Sequence, residues 1–187
     1  MMRPAVFLDR DGVINRAVVR AQKPSAPRSL EELEVLPGVG GAVNALRAAG
    51  YCLVVVTNQP DVARGTTPLA VVESINEKLR TALALDAVYM CVHDDRDGCS
   101  CRKPMPGLIT RAAEELRLDL SASYLVGDRW RDIEAGRRAR CNTFFLDHGY
   151  RERRPDSYDF RVVSLLDAAR IILRRDMQPC PTSTICA

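Results

Sequence analysis

Along the chain, short unbroken apolar runs alternate with segments in which apolar residues recur every three or four positions. The runs are 5–9, 52–57, 87–92, 123–127 and 143–146. None has the strict in-and-out alternation of a half-exposed strand, which predicts five strands covered on both faces. Helical spacing predicts helices over 40–49, 68–82, 106–116, 131–139 and 164–174, and Val72, Ile75, Leu79 and Leu83 mark one buried stripe on the second. Strands alternating with crossover helices define the α/β class, a Rossmann-like parallel sheet with helices on both faces. The segment from Arg20 to Arg28 has two prolines and basic residues at both ends, and predicts a loop or flap. Residues 176–187 again hold two prolines among small residues, and predict a disordered tail.

A chain of 187 residues fits one compact domain, here 1–175, with no room for a second large one. Its formal charge of +3 is too small to mark a nucleic-acid binder, and 5% aromatic residues give no basis for a base-stacking groove. No stretch approaches the roughly 18 to 20 apolar residues needed to span a bilayer. The first apolar run stops at Asp9, too short for an export signal. The expectation is therefore a cytoplasmic monomer with no membrane partner. Seven cysteines in a reducing compartment need a reason other than disulfides. Cys52 and Cys141, in or beside apolar runs, predict ordinary core packing.

In an open parallel sheet, ligands bind beyond the carboxyl ends of the strands, and four such ends carry polar chemistry. The first ends in Asp9-Arg10-Asp11-Gly12, the second in Thr57-Asn58-Gln59. Arg102-Lys103-Pro104 follows the third, and Gly127-Asp128-Arg129-Trp130-Arg131-Asp132 the fourth. Each alone could be a solvated turn, since Asp and Gly are common turn formers. Together they bring carboxylates, a hydroxyl and a lysine to one edge, an inventory suited to phosphoryl transfer. Carboxylates hold a hard cation, a lysine and small donors neutralise phosphoryl oxygens, and one carboxylate can attack phosphorus.

A second cluster lies between the third run and Lys103. Cys91, His93, Cys99 and Cys101 offer three sulfurs and one nitrogen within eleven residues, a complete tetrahedral set for zinc. With no position left for water, the expected role is structural, folding the loop 91–103. A redox pair or scattered surface thiols are the competing readings.

The four strand-end motifs, in this order, resemble those of the haloacid dehalogenase superfamily. By that resemblance Asp9 is the nucleophile, Asp11 the general acid and base, and Thr57 and Lys103 bind the phosphoryl group; Asn58 and Arg102, beside them in the chain, are expected to bind phosphate or substrate as well. Magnesium would be held by the Asp9 carboxylate, the Asp11 backbone carbonyl and Asp128. Asp132 would either touch the metal, cap a helix or orient water. The zinc loop, with Asp9-Arg10-Asp11-Gly12-Val13-Ile14-Asn15 and Ala63-Arg64-Gly65, narrows the resemblance to the zinc-containing branch of heptose 1,7-bisphosphate and histidinol-phosphate phosphatases. Where the heptose enzymes usually carry Ser-Gly after Thr-Asn-Gln, this chain has Pro60-Asp61. The implied activity is a magnesium-dependent phosphomonoesterase acting on a small phosphorylated sugar, heptose 1,7-bisphosphate first. Histidinol phosphate or another small sugar phosphate is the alternative, and a non-catalytic binding module the rival class.

The gaps between motifs leave no room for an inserted cap domain. Selectivity then falls to short loops, whose cations are Lys23, Arg28, Arg64, Arg102 and Arg129. Lys23 and Arg28 are expected to be solvated, while Arg102 adjoins the phosphate lysine. Trp130 is expected either at the mouth of the site or packed beneath it.

Overall fold

The computed structural model describes residues 2–20 and 23–176. Beyond Asp176 the expected disordered tail, with Cys180 and Cys186, lies outside the described residues. The elements in chain order are β1 (Ala5–Leu8), β2 (Val18–Arg20), β3 (Lys23–Ser25), α1 (Val39–Ala48), β4 (Cys52–Asn58), α2 (Leu69–Ala82) and β5 (Ala87–Cys91). They continue with α3 (Gly107–Leu116), β6 (Tyr124–Gly127), α4 (Trp130–Arg138), β7 (Asn142–Leu146), β8 (Phe160–Val162) and α5 (Leu165–Asp176). Six strands form one sheet in the order β5-β4-β1-β6-β7-β8, and every neighbouring pair is parallel.

The five strands read from apolar runs are all present, and the sheet adds a sixth. β8 has only three residues with an exposed Arg161 at its centre, so it shows no apolar run. β3 lies within the segment expected as a loop or flap and pairs antiparallel with β2, which ends at Arg20 where that segment begins.

Alternate residues of each central strand feed two apolar cores. Val6 and Leu8 face one side with Leu53 and Val55, under Val43 and Leu46 of α1, Ile75 and Leu79 of α2, and Ala168 and Ile172 of α5. Ala5 and Phe7 face the other with Val54 and Val56, under Ile109 and Ala112 of α3 and Ile133 of α4. Cys52 and Cys141 are buried in this second core, as expected. Burial on both faces explains why the strands read as continuous apolar runs.

This topology fixes the site. β1 lies between β4 and β6, so the chain leaves it in one direction to form β4 and β5 and returns on its other side for β6 to β8. At such a switch point the loops at the carboxyl ends splay apart and leave a crevice.

Candidate active site and metal loop

Asp9 follows β1 directly, and its backbone N–H is held by the Val126 carbonyl of β6 at 2.9 Å. Lys103, buried, extends its Nζ to Asp9 Oδ1 and Asp132 Oδ1, each at 2.6 Å, and to the Val56 carbonyl at 2.7 Å. Burial alone would depress this lysine, but Asp132 and Asp9 outweigh it and raise its ammonium above the usual range. Burial pushes the Asp9 carboxyl up to about 7, against the opposing pull of Lys103. Asp132 also accepts the Arg129 backbone N–H at 3.0 Å, closing the first turn of α4. Its carboxylate is thus engaged with Lys103 and the helix start.

Asp128 differs. Neither of its buried carboxylate oxygens meets a hydrogen-bond partner of normal geometry among the described residues, and the side chain nearest in interaction with it is that of Tyr150. Burial, then the nearby Asp9, raise its carboxyl well above the usual range. Asp9, Asp128 and Asp132 each offer an oxygen within 4.8 Å of the others. A buried, unpartnered carboxylate beside a second one is an unfavourable arrangement that a hard cation would relieve, so these residues fit a magnesium ion.

Two glycines make the approach possible. A β carbon on Gly12, whose φ is +99°, would lie 1.9 Å from Asp128 Oδ2, and one on Gly127 would lie 2.1 Å from the Asp132 β carbon. The sequence marks Gly12 as a turn former; its contact with Asp128 is visible only in the fold.

The Asp11 carboxylate is gripped by several donors. Asn15 Nδ2 reaches Oδ1 at 2.9 Å, Gln59 Nε2 reaches Oδ2 at 2.8 Å, and the guanidinium of buried Arg10 lies against both oxygens. Gln59 also donates to the Thr57 hydroxyl at 2.8 Å. Asn58 clamps the Lys103 backbone, accepting its N–H and donating to its carbonyl, each at 3.0 Å. Asn58 thus lines the site, but its amide is spent on holding Lys103. Arg10, Asn15 and Gln59 stand in the quoted motifs without a role read from sequence; their polarity beside a motif carboxylate was the only signal.

A cavity of about 360 Å³ opens above Asp9, Asp11 and Lys103. Arg64, Arg102, Arg129 and Arg131 line it, with Lys23 of the flap. Each arginine has an acidic partner. Arg64 forms a two-point pair with Asp94 at 2.8 and 2.7 Å, and Arg129 pairs with Glu152. Asp95 takes both Arg102 at 2.9 Å and Arg131 at 2.5 Å. Asp61 lies 3.5 Å from Arg28 of the flap and 3.7 Å from Arg64. Arg28, expected to be solvated, thus has a partner across the mouth. Trp130 is half-buried, with Arg131 and Arg153 over its ring.

Asp94 and Asp95 belong to the loop that follows β5. There Cys91 Sγ lies 3.6 Å from His93 Nδ1, 3.7 Å from Cys99 Sγ and 3.1 Å from Cys101 Sγ. Cys101 Sγ is 3.3 Å from His93 Nδ1 and 3.4 Å from Cys99 Sγ. Separations of this order approach the edges of a tetrahedron around an ion bound to sulfur at about 2.3 Å. The four residues can hold a metal ion, and their donor set fits zinc. Among the described residues no helix is long and apolar enough to cross a membrane.

The profile of the haloacid dehalogenase-like hydrolases matches residues 8–140. A D-glycero-beta-D-manno-heptose-1,7-bisphosphate 7-phosphatase of Salmonella typhi is 38% identical over 155 residues, covering 76% of this chain and 79% of that protein. One of Pseudomonas aeruginosa is 36% identical over 154 residues, covering 80% and 84%. Among solved structures, the D,D-heptose 1,7-bisphosphate phosphatase of B. bronchiseptica, complexed with magnesium and phosphate, aligns with a TM-score of 0.78 at 31% identity, covering 92% of this chain and 99% of that one. With four strand-end motifs, a six-stranded parallel sheet and relatives of this kind in agreement, the chain belongs to the haloacid dehalogenase-like hydrolases and is a phosphatase.

Proposed function

We propose that the chain hydrolyses a phosphate ester of a small sugar, with heptose 1,7-bisphosphate as the substrate and the 7-phosphate as the group removed. The observation that carries this reading is the Asp9 carboxylate beside Lys103 on the floor of an arginine-lined cavity, with unpartnered Asp128 next to it. The relatives named above favour the heptose substrate over histidinol phosphate.

In this reading an Asp9 oxygen attacks phosphorus while Lys103 and Thr57 neutralise the phosphoryl oxygens. The bond from phosphorus to the ester oxygen breaks, and Asp11 gives that oxygen a proton. Asp11 then takes a proton from water, whose oxygen attacks the aspartyl phosphate, releasing inorganic phosphate and restoring Asp9. The Asp9 carboxylate, the Asp11 backbone carbonyl and Asp128 would hold magnesium, which supplies positive charge against the transferring phosphoryl group. Cys91, His93, Cys99 and Cys101 would hold a structural zinc ion. Asn58 supports Lys103, and Arg102 binds the part of the substrate beyond the reacting phosphate. The reading includes one capless domain over 1–175, acting as a cytoplasmic monomer without nucleic-acid or membrane partners.

The test is turnover of heptose 1,7-bisphosphate, histidinol phosphate and a nucleoside monophosphate by the wild type and by Asp9→Asn. The wild type should prefer the heptose and release one phosphate, and the variant should be inactive with its fold intact. Faster turnover of histidinol phosphate or the nucleotide would remove the substrate assignment, and an active Asp9→Asn would remove the nucleophile.

A further inference from the structure

Arg10 is the largest fully buried side chain among the described residues. A buried guanidinium needs both a counter-charge and partners for its N–H groups. Its charge is met by Asp11: Nη2 lies 3.1 Å from Asp11 Oδ2, and Nε sits 3.2 and 3.3 Å from the two oxygens. Its opposite edge is held from α2, where Asn76 Oδ1 accepts from Nη1 at 2.7 Å. Asn76 is itself buried, at 7% exposure, between the apolar residues Ile75 and Leu79. Among the described residues its Nδ2 donates to a thioether, Met90 Sδ at 3.4 Å.

An asparagine inside an apolar helix face is unfavourable unless its polar atoms are used, and here the strong bond goes to Arg10. A planar guanidinium fixed along both edges cannot rotate or slide. Asn15 and Gln59 each give Asp11 one further bond, but neither fixes the plane of Arg10. We infer that Asn76 is a positioning residue for catalysis, acting through Arg10 to fix the orientation of the Asp11 carboxylate relative to the leaving oxygen.

The inference rests on Asp11 as the proton donor. Protonation matters most for a poorly leaving alkoxide and little for a dinitrophenolate, so the ratio of kcat/KM on the two substrate types reads the placement of Asp11. The experiment measures kcat/KM for heptose 1,7-bisphosphate and 2,4-dinitrophenyl phosphate with the wild type, Asp11→Asn, Asn76→Ala, Asn76→Ser and Asn76→Asp. Asn76→Ala and Asn76→Ser should lose roughly tenfold or more on the sugar ester and less than about threefold on the aryl ester. Asn76→Asp, which keeps an acceptor for Nη1, should restore the ratio to near the wild-type value. Should Asn76→Ala not melt cooperatively, Asn76→Ser is read in its place.

If Asp11→Asn slows both substrates alike, the proton-donor reading fails and the inference with it. If Asp11→Asn is selective but the Ala and Ser variants keep the wild-type ratio, or lose both activities in parallel, Asn76 is not a positioning residue. Failure of both to fold would assign Asn76 to stability alone and equally overturn the inference.

Discussion

Lys103 joins two buried carboxylates that would otherwise repel each other, Asp9 and Asp132. Lys103→Met keeps the aliphatic stem but leaves both without a cation, and should destabilise the magnesium-free protein by about 3–5 kcal/mol, read from denaturant unfolding. A loss below ~1 kcal/mol would mean that the carboxylates take up protons instead. Gly12→Ala should weaken magnesium binding about tenfold or more in calorimetric titration, because the new methyl group occupies the space of the Asp128 carboxylate. At this scale the sequence is an uneven guide. Asp9, Asp11, Lys103 and Asp128 announce themselves, since chemistry-bearing residues at strand ends stand out against apolar runs. The groups that orient them do not. Asn76 sits beside a helical stripe as any surface polar residue could, and its bond to Arg10 exists only once α2 has docked on the sheet.

The loop after β5 is the element on which the pocket mouth depends. Its Asp94 and Asp95 hold Arg64, Arg102 and Arg131, so loosening the loop disturbs three cations together, with only Arg64 keeping a second acidic neighbour, Asp61. Freshly reduced protein should contain about one zinc per chain by elemental analysis. Stripping that ion with a strong chelator, in excess magnesium, should raise KM for the bisphosphate more than it lowers kcat for an aryl phosphate. Unchanged kinetics in zinc-free protein would separate the loop from substrate binding. The clustering of Cys91, His93, Cys99 and Cys101 was legible because three thiols and an imidazole in one short segment are brought together by a single loop. The β2–β3 hairpin and β8 were not: each strand has three residues, and Lys23, Pro24 and Arg161 break any apolar pattern. Such short strands are specified by pairing with a surface already formed, which local sequence does not display.

Across the whole molecule, the acidic centre makes stability depend on pH and metal together. The Asp9 carboxyl stands at about 7 in the folded chain against an ordinary value of 3.8. The folded state therefore holds this proton more tightly than the unfolded chain, and the stabilisation is present in acid and lost as pH rises through 7. Asp128 is raised in the same direction. Without divalent ions, the contribution of these groups lowers the melting temperature between pH 5 and pH 8. Saturating magnesium, which favours the ionised carboxylates, should raise the melting temperature more at pH 8 than at pH 5. An equal rise at both pH values would count against these carboxylates as the ligands. The sheet order also governs how the protein is made. Ala5 of β1 pairs with Cys52, and Val6 pairs with Tyr124, far later in the chain. A ribosome that has delivered β1 must therefore synthesise most of the remaining chain before that strand gains its second neighbour. Nascent chains halted before Tyr124 should remain protease-sensitive at their amino end and recruit chaperones, whereas chains that have exposed β6 outside the exit tunnel should resist cleavage there.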